Sequence, residues 1–263
     1  MRYYVGDAFS DRMFGGGPAA VVVSNAWLPD ELMQNIAMEN NLADTAFAVL
    51  RADGDYDLRW FMPDGEINLN GHATLVCSHV IFHEIEPERV EITFHIPQGK
   101  TIRARRVGEE VSVTMPPVFN RPYPLRQDMI DALGAAPQET WFGENLLFVY
   151  ENEAQIRELR PDFVKMMAIQ EGMGCFVTAP ANPGQGYDIV GRTFWPKMGV
   201  NEDPVCGNMH CNLAPFWAER LGKPEIVSHQ LSKRGAVVKC RYENGVVTLQ
   251  GAVTMVYQGE LLI

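Results

Sequence analysis

Cysteine is scarce here and lacks a ligand pattern: five residues, at positions 77, 175, 206, 211 and 240, with no C-x-x-C pair. An odd count without that spacing signals neither a disulfide framework nor a zinc knuckle, so the thiols are expected to be reduced and no metal site is expected. Basic runs are equally short. No Lys/Arg run exceeds two residues, as at Arg105–Arg106, and the formal net charge is −11. A nucleic-acid backbone therefore finds no electrostatic footprint to grip. No apolar stretch approaches the ~18 residues that a membrane span needs. The start, "MRYYVGDAF", lacks the apolar segment of a signal peptide. The chain reads as cytoplasmic, with neither nucleic acid nor membrane among its partners.

What is present is a turn-rich balance. Of 263 residues, 46% are hydrophobic and 21% charged, with 23 Gly and 17 Pro. Many short strands fit this composition better than a helical bundle, and the length suits one large domain or two ordinary ones. An α+β enzyme-sized protein is expected.

The sequence also repeats itself. "RWFMP" at Arg59 recurs as "RTFWP" at Arg192, and each is followed by a glycine, Gly71 or Gly207, that opens a helix-like run. The next shared glycines, Gly99 and Gly235, each lie 28 residues further on. Both lead into a hairpin-like pair, "KTIRARRVGEEVSVTM" and "AVVKCRYENGVVTLQG", the second with a strong Asn-Gly turn signal. Upstream, "FGGGPAAVVV" resembles "FGENLLFVY", and "DTAFAV" from Asp44 falls opposite "MGCFVT" from Met173. Two duplicated lobes follow: residues 1–117 and 118–254, divided in the proline-rich "MPPVFNRPYP", with the tail 255–263 returning to a sheet edge of the first lobe.

The two glycine-led runs, "NGHATLVCSHVIFHEI" and "GNMHCNLAPFWAERL", carry apolar residues around their whole circumference, as helices buried within their lobes do. Pro215 requires a kink or an open first turn in the second. The first amides of a buried helix lack partners and, with the helix dipole, suit a carboxylate or oxyanion. Two such helix starts facing one cleft would make a pocket for a small acidic substrate. The polar residues beside them are Asp64, Glu66, Asn68, Asn70 and His72 in one lobe, and Asn201, Glu202, Asp203, Cys206, Asn208 and His210 in the other. Each also has a plain structural reading: Asp203 before Pro204 as a turn former, His72 as a cap, His79 and His83 as packing or surface histidines, Cys77 and Cys211 as core thiols.

The stretches "DAFSDRMFGGGPAAVVV", "NLADTAF", "RWFMPDGEINLNGHATL" and "NEDPVCGNMHCNLAPFW" resemble, in order and spacing, the PhzF-like, or phenazine biosynthesis-like, family. That family shares the diaminopimelate epimerase fold. The resemblance covers nearly the whole chain. It implies two pseudo-symmetric lobes, each a mostly antiparallel strand barrel around a central helix. It also implies a cofactor-independent, commonly dimeric isomerase acting on a small carboxylate-bearing substrate. The family's acid/base Glu falls on Asp44, one methylene shorter and so roughly 1.5 Å further back. Its substrate-contacting His and Asp fall on His72 and Asp203, and its usual Ser after the second glycine is Asn208. Gly71, Gly207, Asn70 and Cys206 complete the expected substrate-binding set. In diaminopimelate epimerase two cysteines flank the reacting carbon; the second falls on Cys206, the first on Asn70, whose amide carries no usable proton. The helix start should lower the Cys206 pKa, with Glu202 and Asp203 opposing. The expected function is a proton-shifting isomerase. The alternatives are a non-catalytic small-acid binder on the same scaffold and a thiol-dependent epimerase or lyase using Cys206.

Overall fold

The order of short, alternately apolar segments is realised as strands, seen here in a computed structural model that describes residues 1–263, the side chain of Gln98 excepted. The chain divides into two compact units, Met1–Met115 with Thr248–Ile263, and Pro116–Val247.

The first unit begins with β1 (Arg2–Ala8), β2 (Gly17–Ser24), α1 (Asp30–Asn40), β3 (Asp44–Leu50), β4 (Tyr56–Met62) and β5 (Gly65–Ile67). It continues through α2 (Gly71–Val80), β6 (Glu91–Ile96), β7 (Lys100–Val107) and β8 (Glu110–Met115). Every residue of α2 except His79 is buried. The helix packs against β1, β2, β3, β7 and β8, which is the arrangement of strands wrapped around a central helix. Its hydroxyls bond back along the helix: Thr74 donates to the Asn70 carbonyl and Ser78 donates to the Thr74 carbonyl at 2.7 Å, which removes the cost of burying an unpaired hydroxyl. The run does not stay α-helical to its end. Residues Ile81–Ile85 form a π-turn in which the Glu86 amide donates to the Ile81 carbonyl at 2.7 Å.

The second unit contains β9 (Arg121–Pro122), α3 (Gln127–Leu133), β10 (Glu139–Phe142), β11 (Leu146–Val149), α4 (Glu153–Glu158) and α5 (Phe163–Ala168). Then come β12 (Cys175–Pro180), β13 (Ile189–Phe194), α6 (Gly207–Leu221), β14 (Glu225–Gln230), β15 (Ala236–Glu243) and β16 (Val246–Gly251), the last crossing the unit boundary. The final strand, β17 (Val253–Glu260), runs antiparallel along β1, with Val253 opposite Ala8 and Thr254 opposite Asp7. That pairing holds Val253 and Thr254, which the repeat assigns to the second lobe, in the first unit.

The duplication is visible in the pairing senses. From β1 to β7 they run antiparallel, parallel, antiparallel, parallel, antiparallel through β1, β2, β3, β4, β6 and β7. The same series recurs through β10, β11, β12, β13, β14 and β15. It also corrects the sequence alignment upstream. Thr45 pairs with Phe61, and Cys175 pairs with Phe194, so Thr45 corresponds to Cys175 and Asp44 to Gly174, one residue from the match of "DTAFAV" with "MGCFVT". The two phenylalanines that suggested that match lie on opposite faces of their strands, because a one-residue slip inverts every side chain.

Pro215 does not break α6. A proline in a helix interior leaves the carbonyl four residues earlier without its amide. That carbonyl, on Cys211, accepts instead from the Val118 amide at 3.1 Å. The proline-rich segment after β8 thus completes the helix that the sequence expects to bend. Gly222 closes the helix in a left-handed conformation (φ 64).

Backbone approach is closest at Gly174, where an added Cβ would lie 2.3–2.8 Å from ring atoms of Trp195. Gly174→Ala should therefore destabilise the protein by about 1–3 kcal/mol through overpacking, read as a lowered urea midpoint with an unchanged slope.

Candidate active site

Asp44 is the first residue of β3 and lies in a row with Ala19 of β2 and Gly6 of β1. A Cβ on Gly6 would lie 2.9 Å from a methyl of Val76 in α2, so this row faces the central helix. The direction carries Asp44 inward. Its side chain is only 5% exposed, and its Oδ2 lies 3.0 Å from Nε2 of His72, itself 6% exposed. The other carboxylate oxygen, Oδ1, is buried with no hydrogen-bond partner among the described residues. An orphaned carboxylate oxygen in a low-dielectric setting is costly, and such cost is typical of a functional position.

Asn70 sets the start of α2. Its backbone is extended (φ −143, ψ 126) and its Oδ1 accepts from the Ala73 amide at 2.8 Å. The amide expected to face substrate is thus engaged as the helix cap. Cys206 stands in the same place before α6, its Sγ accepting from the Met209 amide at 3.3 Å. The sequence correspondence of Asn70 with Cys206 is therefore also a correspondence of caps. It places Gly71 beside Gly207 and His72 beside Asn208 in the repeat.

The thiol differs from expectation. Cys206 is 5% exposed, and burial, reinforced by the Asp203 carboxylate, pushes its pKa well above the usual thiol range. Desolvation outweighs the helix start because the thiol cannot shed a proton into an apolar interior without losing more solvation than a partial dipole returns.

Asp203 forms a turn. Its Oδ1 accepts from the Val205 amide at 3.2 Å and its own amide donates to the Thr193 carbonyl at 3.0 Å. Asn208 donates from Nδ2 to Glu144 at 3.3 Å, leaving its Oδ1 buried without a partner among the described residues. Of the other polar residues near the helix starts, Glu66 and Glu202 are bound to arginine. Arg59 takes Glu66 with two bonds of 2.7 Å, and Arg192 takes Glu202 at 2.7 and 3.0 Å. These paired forks explain the repeated "RWFMP" and "RTFWP". Each guanidinium also lies 5.1 Å from the phenylalanine two residues on, Phe61 or Phe194.

His210 is fully buried inside α6. Its Nδ1 is 2.7 Å from the Cys206 carbonyl and its Nε2 is 3.1 Å from Oγ of Ser228. A carbonyl can only accept, so Nδ1 carries the proton and Nε2 accepts from the serine. Residues the sequence did not single out complete the loop before α6. Gln230 bonds the Cys206 amide and the Asp203 carbonyl, and Ser232 donates to the Pro204 carbonyl at 2.7 Å. No group of three or more His, Cys, Asp or Glu that could hold a metal ion occurs among the described residues, and no helix there is long and apolar enough to cross a membrane.

Comparison with known proteins bears on this arrangement. Residues 6–259 match the family of phenazine biosynthesis-like proteins, PhzC-PhzF. A Pseudomonas aeruginosa protein named an uncharacterized isomerase is 39% identical, covering 97% of this chain and 96% of its own. A Halalkalibacterium halodurans protein, likewise named an uncharacterized isomerase, is 38% identical over 99% and 98%. The crystal structure of a PhzF-family protein from Enterococcus faecalis superposes with a TM-score of 0.94 at 37% identity, covering 100% of this chain and 99% of that one.

Burial holds the His210 imidazole down to about 4, and His79 likewise. A histidine neutral in the fold but ordinary when unfolded gives the unfolded chain more protons as pH falls. Stability should be full above about pH 6.5, fall as pH drops from there, and level off below the folded value. His210→Gln should flatten part of that slope in urea titrations at successive pH values, while an unchanged slope would remove His210 as a contributor.

Proposed function

For a chain that belongs to the phenazine biosynthesis-like (PhzC-PhzF) family of isomerases, we propose a proton shift on a small carboxylate-bearing substrate, with Asp44 as the acid/base. The observation that carries this is the buried Asp44 carboxylate, with one oxygen 3.0 Å from the His72 imidazole and the other without a partner. The free Oδ1 is an acceptor positioned to take a proton from a substrate carbon. The same carboxyl can return that proton at a neighbouring carbon, so no second carrier is needed and the balance of the reaction is kept. His72 holds the carboxylate in place and polarises the substrate. The family resemblance assigns substrate contacts to Asp203 as well, with Asn70, Gly71, Cys206, Gly207 and Asn208 as further candidates, and helix-start amides suit a substrate carboxylate. The family resemblance that assigns these roles also carries a reaction needing no cofactor and a homodimeric protein.

A thiol mechanism is disfavoured by the buried, hard-to-ionise Cys206 and by Asn70, its counterpart, acting as a helix cap. A non-catalytic binder is the second reading, motivated by two departures from the family pattern, Asp at position 44 for the usual Glu and Asn at position 208 for the usual Ser. Deuterium wash-in from solvent into a panel of cyclic carboxylic acids separates the two: exchange supports the isomerase, and tight binding without exchange supports the binder.

Asp44→Asn should abolish exchange, and Asp44→Glu should preserve or raise it, because the longer side chain restores reach. Full exchange by Asp44→Asn would end the acid/base assignment. Cys206→Ala should cost about tenfold or less, ~1.4 kcal/mol, through lost packing and the lost cap. A loss of several orders of magnitude, with a kinetic pKa near 7 to 8 that vanishes in the variant, would return the reaction to the thiol.

A further inference from the structure

Gln230 is a polar residue where the repeat has an apolar one. Strands β6 and β14 share one burial alternation, inward at Ile92, Phe94 and Ile96 in the first and at Ile226, Ser228 and Gln230 in the second. Ile96 pairs with Lys100, the residue after Gly99, and Gln230 pairs with Ala236, the residue after Gly235. The two positions therefore correspond. Gln230 is wholly buried, and an amide in place of an aliphatic side chain is costly unless both its ends are bonded. Both are, and to one loop. Oε1 accepts from the Cys206 amide at 2.9 Å, and Nε2 donates to the Asp203 carbonyl at 2.7 Å. One side chain thus fixes the span of the turn from Asp203 to Cys206. It also takes the amide just before the first ones of α6. The Cys206 amide is bound by Gln230 and the Met209 amide by the Cys206 thiol, leaving those of Gly207 and Asn208 between them.

We infer that Gln230 is a positioning residue of the active site: it holds the Asp203 turn and the first open amides of α6 in the geometry that receives substrate. The inference rests on the reading of Asp203 as a substrate contact. Glutamate at this position tests it sharply. A carboxylate oxygen still accepts from the Cys206 amide, but the second oxygen faces the Asp203 carbonyl and repels it. A protonated carboxyl regains the donor. The Gln230→Glu site should therefore be intact while the carboxyl is protonated and lose its geometry as rising pH ionises it.

The experiment follows 2-aminobenzoate, a fluorescent small cyclic carboxylate, binding to the full chain between pH 5 and 9, with folding checked by circular dichroism. The native protein should bind it without a step attributable to position 230. Gln230→Met, which lacks both bonds, should bind about tenfold more weakly at every pH. Gln230→Glu should bind nearly as the native protein at low pH and lose about tenfold in affinity as pH rises. A merely structural role would lower the melting temperature of both variants without giving probe affinity a pH step. A folded Gln230→Met with native affinity, or a folded Gln230→Glu that tracks the native profile, overturns the inference while leaving the proposed function standing. Absence of binding by the native protein, or native affinity in Asp203→Asn, instead overturns the reading on which it rests.

Discussion

A helix enclosed by strands cannot turn to water for the partners of its first amides, and the sites of this protein follow from how that demand is met. At α2 the answer is Asn70, whose side-chain oxygen takes the Ala73 amide. At α6 it is Cys206, whose sulfur takes the Met209 amide. In each case the cap serves the third helical residue. The first two, Gly71 and His72 or Gly207 and Asn208, are not served by the cap.

Duplication reproduced this geometry and then let the side chains part. The arginine forks of Arg59 and Arg192 have kept a glutamate partner and the same phenylalanine contact, because they tie a strand to the segment that precedes each central helix. The cap positions kept their function with different atoms, an amide oxygen in one lobe and a thiol in the other. Next to the first glycine stands an imidazole beside a carboxylate; next to the second stands an amide bound to Glu144. The imidazole–carboxylate pair of His72 and Asp44 lies in the first lobe, where Asp44 begins β3. Its counterpart in the second lobe is Gly174, set against the face of Trp195 where no side chain fits. The difference between the two lobes is therefore fixed sterically as well as chemically.

Burial works in opposite directions on the two kinds of ionisable group. It renders Cys206 a poor acid, holds His210 neutral and ties it to Ser228 and to the Cys206 carbonyl. At Asp44 the same burial leaves one carboxylate oxygen unmet beside His72. A thiol or imidazole surrounded by bonded partners is inert, whereas a carboxylate with one open acceptor is available to a ligand.

Local sequence determined a good deal. Strand alternation, the Asn-Gly turn, the glycine before each central helix and the repeated arginine motif are all set by residues near one another, and they placed the elements. Asp44, His72 and Asp203 stand out as candidates because the motifs around them are contiguous. Three matters needed the tertiary structure. The register of β3 against β4, and of β12 against β13, is a relation between strands, so a chance match of phenylalanines misplaced it by one residue. The ionisation of Cys206 depends on what surrounds it: its neighbours in sequence suggest a helix-start thiol, while burial from water and the Asp203 carboxylate hold it protonated. Gln230 lies 24 residues from Cys206, and nothing in "EIVSHQ" says that its last side chain reaches a turn before another helix. Contacts over such distances are decided by the closure of the sheet around its helix, which brings both ends of that amide to a single loop.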